Sequence, residues 1–201
     1  MLPVVVRGDR HLVVGHVEQL REWLGLPADE EHVPYAELVA ACDRVLVAFI
    51  TMLRQLPDER ITDPTPNRGR DMRNMTVNVF SLMTEVVHAL DDGRFSYQAH
   101  KDADAQSVRF RGTAELIAFA EERRAQWLAR SGRVTSADAA RLVPSDRKGE
   151  MTQHQILDAA ARHAAGHLRQ AYQFLRQMGI EPAGELTAAA MRPIVVQTSL
   201  Y

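Results

Sequence analysis

Two histidines near the C-terminal end carry the clearest chemistry in this chain. They lie in Ala160-Ala161-Arg162-His163-Ala164-Ala165-Gly166-His167-Leu168-Arg169-Gln170. A spacing of four residues puts both imidazoles on one face of a helix, one turn apart. Two imidazoles held that way can share a transition metal, usually zinc or nickel. The alternative is a polar pair beside the apolar stripe of Leu157, Ala160, Ala164, Leu168, Ala171 and Leu175. A site needs at least one further donor. The single cysteine, Cys42, sits mid-stripe between Leu38 and Val45 and reads as a buried structural thiol rather than a nucleophile. His11, His16, His32, His100 and His154 are scattered, and spacing assigns them no partner.

The elements that must position the pair follow from the hydrophobic period. From Tyr35 onward the period is helical. Leu38, Val39, Cys42, Val45, Leu46, Phe49, Ile50, Leu53 and Leu56 form one broad stripe, which Pro57 stops. A second helix is expected over 71–90, closed by Asp91-Asp92-Gly93, and a third over 113–129. The segment Arg94 to Arg111 reads as irregular, with an extended piece at Val108-Arg109-Phe110. Residues 130–150 read as a polar connection with a helical turn near 137–142. A fourth helix opens on Thr152-x-x-Gln155, a capping-box pattern, and ends near Met178-Gly179. A short helix is expected over 185–191, in a C-terminal tail of 181–201. Four long amphipathic segments make a four-helix bundle over 35–180 the natural architecture. The long connection between the second and third helices is expected to cross the bundle.

Residues 1–26 differ. Pro3-Val4-Val5-Val6 and His11-Leu12-Val13-Val14 are apolar runs around the turn Arg7-Gly8-Asp9-Arg10, and a helical pattern follows from His16 to Leu24. The expected unit is a β-hairpin plus a short helix. An acidic linker, Pro27 to Pro34, joins it to the helical region.

The whole chain has 201 residues, of which 46% are hydrophobic and 25% charged, with a formal net charge of -2. This suits one compact domain with a small appendage, and a mainly α class. The near-neutral charge favours neither nucleic acid nor an anionic membrane as partner. One cysteine excludes a disulfide within the chain, which fits a cytoplasmic protein. No apolar run approaches the roughly 18 residues of a membrane span. The start, Met1-Leu2-Pro3-Val4-Val5-Val6-Arg7, has no basic segment ahead of a long apolar one, so no signal peptide is expected.

The pattern His163-x-x-x-His167-x-x-Gln170, on the last long helix of a bundle this size, resembles the DinB/YfiT-like family, over roughly 35–178. That resemblance implies a divalent metal in a cleft at mid-bundle, bound by a histidine near the start of the second helix and two histidines of the fourth. Several branches of the family use the metal to hold or activate a low-molecular-weight thiol, such as mycothiol or bacillithiol, for transfer or isomerisation. Here Asn78 stands where the second-helix histidine is expected, so the implied ligand set is His163, His167 and Asn78. An amide oxygen is a weak ligand for zinc or nickel, and an amide cannot act as a base. Glu85, seven residues on and near the same face, is the alternative donor. His88 is rotated away by roughly 80° on ideal helix geometry.

The first 26 residues resemble the C-terminal half of a glutaredoxin. Pro3 stands where that family has a cis-proline at the start of a strand, and Gly15 where a glycine follows the second strand. The Cys-x-x-Cys half is missing, so the segment cannot perform dithiol redox chemistry. A lone hairpin is marginal in water and must lie against something. A homodimer with residues 1–26 at its interface is therefore expected.

Two readings of function stay open. One is a metal-dependent, thiol-linked transferase or isomerase of the DinB/YfiT-like type with a degenerate metal site, acting on a small thiol or electrophile. The other is a non-catalytic relative that has lost its metal and serves as a binding or assembly module. Residue 78 is the feature that divides them.

Overall fold

A computed structural model describes residues 4–14, 17–26, 33–65 and 69–196, with the side chains of 17–19 left out. The chain divides into two compact units, Met1–Val33 and Pro34–Tyr201.

In the first unit, β1 (Val4–Arg7) pairs antiparallel with β2 (Arg10–Val13), and α1 (Val17–Leu24) follows. The pairing Arg7↔Arg10 leaves a two-residue turn in which Gly8 has φ +60°, a region that favours glycine. Val5 and Leu12 pair across the strands and are half-buried, while Val4, Val6 and Val13 are exposed. Pro3 and Gly15, which carry the glutaredoxin resemblance, lie outside the described residues, as does most of the expected linker.

The second unit runs α2 (Tyr35–Leu53), α3 (Met72–Asp91), α4 (Tyr97–Asp104), α5 (Thr113–Ser131), α6 (Ser136–Ala140), β3 (Leu142–Ser145), β4 (Gly149–Thr152) and α7 (Gln153–Gln177). Short 3-10 turns lie at Asp58–Arg60 and Ala105–Arg109. The four long helices form the bundle. Both α5 and α7 pack against α2 and also against α3, so α2 and α3 stand diagonally across the core. They meet there through the edge-to-face rings of Phe49 and Phe80, 5.8 Å apart, and through Cys42 and Met83. Burial pushes the Cys42 thiol well up, and the neighbouring Asp43 adds to the rise, so this cysteine is a packing residue and not a nucleophile.

The helix limits have local causes. Asp71 caps α3 by accepting from the Asn74 N–H at 2.8 Å. Thr152 and Gln155 form the reciprocal capping box at the start of α7. Leu157, Ala160, Ala164, Leu168, Ala171 and Leu175 are all buried, as their period requires.

Several expectations fail. Arg94 to Arg111 is not irregular, and Val108 and Arg109 are not extended: the segment folds as α4 and a 3-10 turn against α3. The third bundle helix is a neighbour of the second, so it is the connections from α2 to α3 and from α5 to α7 that cross the diagonal. Strand is not confined to the first 15 residues, because β3 and β4 form a second hairpin, held to Phe95 through a bridge with Ser145. Residues 185–191 make turns rather than a helix. Gly184 and two prolines, Pro182 and Pro193, flank that stretch and leave it too short to propagate a helix.

Candidate metal centre

The histidines of α7 lie where their period puts them, at the edge of the buried stripe. Both are half-buried, with ring centroids 4.4 Å apart and planes near perpendicular. Nδ1 of His167 lies 2.9 Å from Oε1 of Gln170. A carbonyl oxygen only accepts, so this contact puts the proton on Nδ1 and the lone pair on Nε2.

Asn78 comes from α3 and is 3% exposed. Its Oδ1 lies 2.7 Å from Nε2 of His163. Its Nδ2 lies 3.0 Å from both carboxylate oxygens of Asp104 and 3.1 Å from Nε2 of His100. The carboxylate dictates which way the amide points, because an ionised carboxylate accepts and never donates. With Nδ2 committed to Asp104, Oδ1 must face His163, which then carries its proton on Nε2.

His100 and Asp104 come from α4, one turn apart on one face. Spacing alone left His100 without a partner, and the fold places it in the centre of the site. It is 6% exposed, and its ring meets that of His163 edge to face at 5.7 Å. Burial pushes its pKa down, opposed by Asp104 and assisted by Arg70, Lys101 and Arg147. The ring is therefore neutral at pH 7. Nε2 accepts from Asn78, which leaves the proton on Nδ1, and that atom is buried without a hydrogen-bond partner among the described residues. Such an orphan costs about 1–3 kcal/mol.

Both ends of α4 are tied down. Ser96 caps it by accepting from Ala99, and Asp146, in the turn between β3 and β4, accepts from the backbone of Tyr97 and Gln98 and from Ser96 Oγ. Burial raises the Asp146 pKa, but these three donors outweigh it and hold the carboxyl below its ordinary range. At the other end, Asn74 Nδ2 reaches the Asp104 carbonyl at 3.4 Å.

Glu85 does not join this cluster. It is buried against Nδ1 of His88 at 3.2 Å; burial raises its carboxyl and the His88 partner opposes that rise. A cavity of about 320 Å³ lies elsewhere, between α2 and α5, lined by Tyr35, Val39, Leu128 and Val134. Its one ionisable carboxylate, Asp43, is committed to a two-point pair with Arg124. The Asn78 cluster is the candidate site instead.

No protein-family model matches the chain, and no curated protein does. Solved structures do. One is YfiT from Bacillus subtilis, described as a probable metal-dependent hydrolase with an unusual four-helix bundle topology. It superposes with a TM-score of 0.64 at 13% identity, over 77% of this chain and 95% of YfiT. Another is the mycothiol-dependent maleylpyruvate isomerase, with a TM-score of 0.60 at 12% identity, over 69% of this chain and 61% of the isomerase. The fold is the DinB/YfiT-like four-helix bundle. At these identities the likeness establishes architecture.

Within this DinB/YfiT-like bundle, the donor set suits a divalent cation in kind. It offers three imidazoles and a carboxylate, and a glutamine fixes the tautomer of one ring. As the side chains stand, no three ionisable groups among the described residues converge tightly enough to hold one ion. The Asn78 amide bridges the space between them. The orphaned Nδ1 of His100 shows that this bridged network is not fully satisfied.

Proposed function

We propose that the bundle is a metal-dependent, thiol-linked transferase or isomerase whose metal site has diverged at residue 78. The observation that supports this reading is the α7 pair, its rings 4.4 Å apart, with His163 facing a buried polar group of the neighbouring α3. The similar folds of a metal-dependent and a mycothiol-dependent protein lend it chemical context. In this reading His163 and His167 hold zinc or nickel, and Asn78 Oδ1 or water lies beside them. When bound, a divalent ion supplies the positive charge that lowers the pKa of a thiol or water. Gln170 keeps the His167 lone pair on Nε2, and the buried flank of Asn78 and His100 excludes bulk water. The substrate is a small thiol or the electrophile it attacks.

Elemental analysis of untagged protein tests this. Near-stoichiometric zinc or nickel is expected, with loss in His163→Ala. No metal in the untagged protein would support the alternative, a non-catalytic binding or assembly module. The hydrogen bonds that Asn78 makes to His163 and Asp104 would then be its resting structure.

We also propose that the chain is a homodimer through residues 1–26. Val4, Val6 and Val13 are 56%, 67% and 51% exposed, and they share one face of the β1–β2 hairpin. An apolar face of that kind calls for a cover, and a symmetric copy supplies one. Deleting residues 1–26 should halve the mass seen by light scattering. A truncated chain that stays dimeric would overturn this proposal.

A further inference from the structure

We infer that His100, from α4, supplies the third imidazole that α3 lacks at Asn78, making a cation site of His100, His163 and His167 with the Asp104 carboxylate at its edge. This rests on the reading that the α7 pair holds a divalent ion. Two pairs one helical turn apart, His163/His167 on α7 and His100/Asp104 on α4, meet at one amide: His163 of the first pair lies at its oxygen, and both members of the second at its nitrogen. Nε2 of His163 faces Oδ1 of Asn78, and Nε2 of His100 faces Nδ2. At ordinary zinc–nitrogen bond lengths, two imidazoles on one ion have ring centroids about 4.5–5.5 Å apart. The observed separations, 4.4 Å for His163/His167 and 5.7 Å for His100/His163, lie just either side of that range. For the nitrogens to meet on one ion, the Asn78 side chain would rotate out of the bridge and the rings would turn.

The chemistry of the set agrees. Three neutral imidazoles and one carboxylate leave a dication partly neutralised. His100 is more than nine-tenths buried, and one of its ring nitrogens has no partner among the described residues. An imidazole kept there for packing alone would leave that polar atom orphaned to no purpose. The ring is also preorganised, since Asp146 anchors the start of α4 and Asn74 and Asn78 anchor its end.

The test is calorimetric titration of Zn²⁺ into the chelator-stripped, untagged full chain at pH 8, with Co²⁺ absorption as a second readout. His100→Ala and His163→Ala should each weaken Zn²⁺ binding about tenfold or more, and each should lower the visible Co²⁺ band. His154→Ala, a histidine at the other end of α7 against the Tyr35 ring, should leave both unchanged. His100→Asn, which keeps a polar group in the buried position, is measured beside His100→Ala, with circular dichroism confirming the fold of each. Binding lost in His163→Ala but intact in the His100 variants would overturn the third ligand and leave the proposed function standing. A wild-type chain that takes up no Zn²⁺, or a His163→Ala chain that binds it equally, would overturn both.

Discussion

Saturating zinc or nickel should raise the melting temperature at pH 8 and fail to do so at pH 5.5. A ligand present at about a hundred times its dissociation constant stabilises the native state by about 2.7 kcal/mol. For a chain of this size that amounts to about 5–10 °C. The loss at low pH follows from the ligands, because an imidazole that has taken a proton has no lone pair for a metal. Between pH 8 and pH 5.5 an ordinary histidine goes from neutral to mostly protonated. Burial lowers the pKa of His100. Thermal melts with and without metal at the two pH values check this. Equal stabilisation at both would argue against a histidine site, and none at either would favour the non-catalytic module.

Asn78→Asp should destabilise the metal-free protein by about 3–5 kcal/mol at pH 7, the scale of an uncompensated buried charge. This corresponds to a drop of about 6–20 °C in melting temperature. The substitution is isosteric, so packing is preserved and only the electrostatics change. Nδ2 of Asn78 now lies 3.0 Å from both oxygens of Asp104, and the introduced carboxylate would set like charges together there. One of the two carboxyls must then hold a proton in the folded state, with its pKa raised above the unfolded value. A raised carboxyl contributes its stability at low pH and loses it as pH rises, so the deficit should be small near pH 4 and grow toward pH 7. Zinc should restore most of the loss, since two carboxylates and the imidazoles then face a dication. Melts across pH, with and without zinc, decide the matter. A variant as stable as wild type at pH 7 without metal would show that Asn78 does not face a charged Asp104.

The bundle was legible because its signals are local. Thr152 and Gln155 sit three apart and cap α7 from within one turn, and the α7 stripe is buried residue by residue. His163 and His167 share a face through spacing alone, and no tertiary contact is needed to bring them together. The Asp91-Asp92-Gly93 stop lies at the end of α3, whereas α2 ends at Leu53, four residues ahead of Pro57.

Tertiary structure alone decided the other half of the site. The segment from Tyr97 to Asp104 has Gln98, Lys101 and Asp102 facing solvent and only His100 buried, so it carries almost no apolar stripe to read. Its start is stabilised by Asp146, about fifty residues further along the chain, and its end by Asn74 and Asn78 of α3. The spacing of His100 and Asp104 was visible, yet nothing local showed the segment to be helical. The β3–β4 hairpin that carries Asp146 was hidden for a similar reason. Its strands are four residues each and one contains Pro144, which argues against a strand except at an unpaired edge. The sequence by itself therefore determined the bundle and the α7 pair, through periodicity and capping within single helices. Only the fold decided that His100 and Asp104 meet them at Asn78, because contacts far apart in the chain hold α4 in place.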